Sequence, residues 1–102
     1  GSPLYVSPEQ VQGKPADRRT DIYALGAVLY LLFTGRPPFE GGSVKEILLS
    51  HLRGRPRPPR DLDPSIPAPV SDAILRALDP DPGRRFPSAA DLHEALTGTG
   101  PA

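Results

Sequence analysis

Residues 22–33 form an unbroken run of twelve without a charged side chain, and no other feature constrains the chain as tightly. Asp21 in front of the run suits a helix cap or a first turn, and Gly35 behind it suits a stop. The spacing predicts a helix over 22–34. Ile22, Tyr23, Ala24, Leu25, Ala27, Val28, Leu29, Tyr30, Leu31, Leu32 and Phe33 cover every face of that helix. A helix apolar all round has to be enclosed by other protein. It is too short to cross a bilayer, which takes about twenty residues. Gly26 lies inside the run, where glycine costs about 1 kcal/mol relative to alanine. It reads as a packing glycine, at a point where another element passes close.

The rest of the chain has limited means to provide that cover. With 102 residues it is one domain at most, or part of one. Fifteen prolines and ten glycines break it into short pieces. Twelve Lys+Arg balance twelve Asp+Glu. This zero net charge argues against nucleic acid as the main partner, which needs a basic excess. It argues equally against an electrostatically held membrane protein. Without cysteine there is no disulfide framework, thiolate metal site or cysteine nucleophile. His51 and His93 alone cannot build a typical zinc site. The opening Gly1-Ser2-Pro3 carries no basic segment followed by an apolar stretch. The expectation is a soluble, cytoplasmic segment with no metal and no membrane contact of its own.

Local signals place further elements. Ser7 and Pro8 suit the cap and first position of a short turn of helix. Ser43 and Glu46 fit a capping box. Val44, Ile47, Leu48, His51 and Leu52 follow at helical spacing, so His51 reads as a partly buried packing residue. Residues 54–69 hold six prolines. Arg55-Pro56-Arg57-Pro58-Pro59-Arg60 has the look of a ligand for proline-reading domains; the reading preferred is a stiff extended connector. Val70, Ile74, Leu75 and Leu78 mark another helix, ending near Asp79-Pro80. Ser88 caps a last helix with Ala89, Leu92 and Leu96 on one face and Gly98 as its stop. The predicted fold is mainly α: about four helices around the central one over residues 1–98, with 99–102 a frayed tail.

Four segments then carry a resemblance. Gly1-Ser2-Pro3-Leu4-Tyr5-Val6-Ser7-Pro8-Glu9 resembles the G-T-x-x-Y-x-A-P-E segment of eukaryotic-type protein kinases. Asp21-Ile22-Tyr23-Ala24-Leu25-Gly26 resembles the D-x-W/Y-x-x-G opening of the central helix of the kinase C-lobe. Leu32-Phe33-Thr34-Gly35-Arg36-Pro37-Pro38-Phe39 is similar to the L-x-T-G-x-x-P-F that follows it. Leu78-Asp79-Pro80-Asp81-Pro82-Gly83-Arg84-Arg85-Phe86 is similar to the L-x-x-D-P-x-x-R-F/Y near the domain end. The order and spacing fit, and the flavour is that of bacterial serine/threonine kinases.

The resemblance implies roles. Ser2 matches the threonine that reaches the catalytic aspartate; serine keeps the hydroxyl and lacks the methyl. Pro3, Leu4 and Tyr5 match the loop beneath the substrate residue after the phosphoacceptor. Glu9 matches the glutamate that pairs with a later arginine, here Arg85. Asp21, with Gly26 in the same motif, matches the anchor of the catalytic loop. The implied fold is the latter part of a kinase C-lobe, and the implied function is its substrate-recognition and structural portion.

The chemical parts of such an enzyme do not occur in this sequence. No glycines are spaced G-x-G-x-x-G, and neither Lys14 nor Lys45 sits in a V-A-I-K context. His51 precedes Leu52-Arg53, His93 precedes Glu94-Ala95, and no Asp-Phe-Gly occurs. The chain by itself is expected to bind no ATP and to transfer no phosphate; ATP and magnesium belong to a longer parent, which could be membrane-anchored. The expected partners are a protein substrate and the rest of the kinase domain, or another chain, over the central helix. The competing reading is a standalone truncated pseudokinase that acts as a helical interaction module, with 44–52 as its first candidate surface.

Overall fold

A computed structural model describes residues 3–98, and Ser2 and the tail 99–102 lie outside it. The described residues form six helices and one 3-10 turn: α1 (Pro8–Val11), α2 (Arg18–Thr34), α3 (Val44–Arg53), α4 (Pro59–Leu62), α5 (Ala68–Ala77), the turn Pro82–Arg84 and α6 (Ala89–Thr97). The fold is mainly α, organised on α2.

The central helix starts earlier than the apolar run indicates. Asp17 is the N-cap: its carboxylate accepts from the Arg19 amide at 2.8 Å, while the Thr20 hydroxyl accepts from the Asp17 amide at 3.1 Å. Reciprocal capping of this kind satisfies donors that a helix end leaves open. Asp21 is therefore a first-turn residue, not the cap. The charged turn Arg18-Arg19-Thr20-Asp21 extends the helix beyond the reach of hydrophobic periodicity. At the other end Gly35 takes φ 79°, a left-handed conformation that glycine adopts without a Cβ penalty, and its amide closes onto Leu31.

Tyr23, Ala27 and Tyr30 of α2 pack with Ile66, Val70, Ile74 and Leu78, joined at the rim by Tyr5 and Leu62. Ile22 packs with Ala73, Ala77, Phe86 and Leu92, which brings α6 against α5. Gly26 is where α2 meets the end of α5. A Cβ built there would stand 2.8 Å from the Ala77 Cβ, so only glycine allows the approach.

Two local expectations need correction. The segment 54–69 is not continuously extended, because Pro59 opens the one-turn helix α4; proline suits that first position as its missing N–H would be unsatisfied anyway. The box at Ser43 is only half formed. Ser43 accepts from the Glu46 amide at 3.1 Å, but the Glu46 carboxylate reaches the Gly42 amide instead of returning to Ser43. At α1 the complete box is present, between Ser7 and Gln10.

Candidate functional site

The site is built around the entry of the chain, where the loop 3–5 leads into α1. Ser7 caps α1, and α1 carries Glu9 inward. From the far end of the sequence the 3-10 turn delivers Arg85, whose side chain is wholly buried. The two meet as a bidentate pair: Arg85 Nη1 donates to Glu9 Oε2 at 2.7 Å and Nη2 donates to Oε1 at 2.8 Å. Arg85 also donates from Nε to the Asp79 carbonyl at 2.7 Å and from Nη1 to the Arg19 carbonyl at 3.0 Å. The Thr20 hydroxyl donates to Glu9 Oε2 at 2.9 Å. One planar guanidinium thereby joins α1, the first turn of α2 and the loop after α5.

Burial alone would raise the Glu9 pKa. The hydrogen bonds from Arg85, a backbone amide and Thr20, with the charge of Arg85, outweigh it and hold the carboxyl at about 2. Glu9 is therefore ionised at any ordinary pH.

Tyr23 lies between this pair and a second buried polar group. The Arg85 guanidinium sits 4.8 Å from the centre of its ring. Its hydroxyl meets Nδ1 of His51 at 2.5 Å. His51 is fully buried, not partly so, and the edge of Phe39 packs against it with centroids 5.0 Å apart. Burial lowers the pKa of the ring, and the backbone of Pro3 and Leu4 acts in the opposite direction. The loop 3–5 rests on the core through Tyr5.

The residues singled out from the sequence divide into three groups. Glu9 and Arg85 meet. Pro3, Leu4 and Tyr5 form a half-buried turn that leads toward α1. Asp21 stands apart, exposed at the head of a stripe that continues at helical spacing through Leu25, Val28 and Leu32. Leu25 is 40% exposed, Val28 42% and Leu32 72%. Gly26 faces Ala77 and Leu78, on a different side of α2. Thr20, Tyr23 and His51 were not singled out for the site. The only sequence signal at His51 is a titratable residue on an apolar stripe. Among the described residues no cluster of three His, Asp or Glu could hold a metal ion. No described helix is long and apolar enough to cross a membrane.

A sequence profile described as the protein kinase domain matches residues 1–96. A probable serine/threonine-protein kinase of Corynebacterium efficiens is 45% identical over 96 residues, covering 90% of this chain and 14% of that protein. The serine/threonine-protein kinase PrkC of Bacillus subtilis is 45% identical over 92 residues, 90% of this chain and 14% of its own length. The serine/threonine-protein kinase PknB of Mycobacterium tuberculosis is 38% identical over 96 residues, 94% of this chain and 15% of its own length. The chain therefore spans a small part of the curated relatives that it matches.

Proposed function

Because this chain belongs to the protein kinase domain family, we propose that it forms the substrate loop and helical support of a serine/threonine protein kinase, inactive without the remainder of the domain. The observation that carries this reading is the stripe on α2. A helix apolar on all faces is packed on one side by α5 and left open along Asp21, Leu25, Val28 and Leu32. A carboxylate at the head of an exposed apolar stripe suits a covering segment that offers backbone donors to Asp21 and apolar side chains below.

In this reading the loop 3–5 carries a protein segment next to its reacting hydroxyl. Glu9 and Arg85 fix the loop to the end of the domain without touching substrate. ATP and magnesium would supply the transferred phosphoryl group and the charge neutralisation. They find no fitting residues in this sequence, so no step of the transfer is assigned to it.

The test is a thermal melt of the chain with and without ATP and magnesium, beside a phosphate-transfer assay on serine and threonine peptides. Neither a saturable rise in Tm nor transfer is expected. A saturable shift on this chain alone would contradict the assignment.

A further inference from the structure

Helix α3 has a single buried residue, and it is a histidine. Val44 is exposed, and Ile47, Leu48, Leu49 and Leu52 are only partly covered. Neither buried apolar cluster of the core includes a residue of α3. The helix packs against α1, and His51 ties it to α2. The ring lies against Tyr23 with centroids 5.7 Å apart, its Nδ1 meets the Tyr23 hydroxyl at 2.5 Å, and Phe39 packs edge-on against it. Its Nε2 has no hydrogen-bond partner among the described residues.

This site accepts a neutral ring and resists a charged one. In either neutral tautomer Nδ1 and the Tyr23 hydroxyl can share one hydrogen bond, and only Nε2 stays unpaired. An imidazolium donates from both nitrogens, so Nε2 would become a charged, buried donor with no acceptor, the costliest kind of unmade bond. The surroundings bring no counter-charge. Burial keeps the Tyr23 phenol protonated. Beyond it lies Arg85, its cation neutralised by Glu9 of α1. Phe39 is not ionisable, Tyr5 sits at the rim of the core, and Glu40, Lys45, Glu46 and Arg53 are exposed. The ring gains its proton most easily by leaving the site for water.

We propose that His51 is a pH-sensitive clamp for α3: the neutral ring docks the helix on Tyr23 of α2, and protonation releases the helix while the packing of α2 with α5 and α6 persists. The surface 44–52 then keeps a fixed orientation only while the ring is neutral. Burial lowers the His51 pKa from 6.5, so docking is complete above that value and weakens as the pH falls below it. The proposal does not depend on the kinase reading, which the ATP melt tests separately.

The experiment is amide hydrogen exchange of the full 102-residue chain, followed by NMR and corrected for intrinsic rates, with the ring nitrogens of His51 read in the same samples. His93→Gln, on the exposed face of α6, removes the other histidine signal. Between about pH 7.5 and 5 the protection of α3 amides should fall by up to about 30-fold while α5 amides keep theirs. His51→Gln cannot be protonated and should abolish that pH dependence, whether α3 is then docked or loose throughout. Tyr23→Phe keeps the ring packing and removes the hydrogen bond of the docked state, so the loss should begin at higher pH. Protection of α3 that holds within twofold, a loss shared equally by α3 and α5, an unchanged acid loss in His51→Gln, or an unshifted one in Tyr23→Phe overturns the proposal.

Discussion

Arg85 uses all five of its N–H donors from a side chain that water does not reach, the last of them a long 3.5 Å contact to the Pro80 carbonyl. Its neighbour Arg84 is exposed and makes only a 3.9 Å contact with exposed Asp81. Removing Arg85 orphans the buried Glu9 charge and several carbonyls, so Arg85→Ala should cost about 3–5 kcal/mol. Arg84→Ala should cost less than about 1 kcal/mol. Urea unfolding followed by circular dichroism measures both, and equal small losses would remove the pair from its structural role. The acid response divides in two. The His51 pKa is lowered on folding, so its contribution is complete above about 6.5 and declines as the pH falls below that. Glu9 falls from 4.5 to about 2, so its contribution, roughly 3 kcal/mol, is present above 4.5 and lost as the pH drops toward 2. Urea midpoints between pH 7 and 3 should fall in two stages, and Tyr23→Phe should alter only the upper one. Glu9 and Arg85 could be paired in advance only through the family likeness, because 76 positions separate them. The contact of Tyr23 with His51 spans 28, and no local pattern encodes it.

At the scale of elements, the caps and stops were largely legible. Ser7, Ser88, Gly35 and Gly98 stand where a helix has to begin or end, and their chemistry is local. The start of α2 was not, because Arg18–Asp21 carries no apolar signal and Asp17 lies outside the run. Asp17→Ala should cost about 1 kcal/mol, measured in the same unfolding experiment. The one-turn α4 was missed because its prolines read as extended chain. Gly26 was read as a packing glycine, and Ala77 is the element that passes close. Gly26→Ala should destabilise by roughly 1–3 kcal/mol, since the Cβ meets another Cβ and not a flexible tip. Retained stability would mean that α2 and α5 separate without cost.

For the molecule as a whole, the apolar run demanded more cover than the described helices give. Leu25, Val28 and Leu32 remain at least 40% exposed, and scattered single apolar residues would not align along one stripe. The chain should self-associate through this stripe, and Leu25→Gln with Leu32→Gln should reduce association in sedimentation velocity while changing stability by less than about 1 kcal/mol. The central claim is that this stripe and Asp21 receive the part of a kinase domain that carries the chemistry. The most direct measurement is the intact mass and N-terminal sequence of the native polypeptide from its source cells. The account predicts a chain much longer than 10.9 kDa, with His-Arg-Asp and Asp-Phe-Gly upstream of Gly1. A native polypeptide of 10.9 kDa beginning at Gly1 would contradict it.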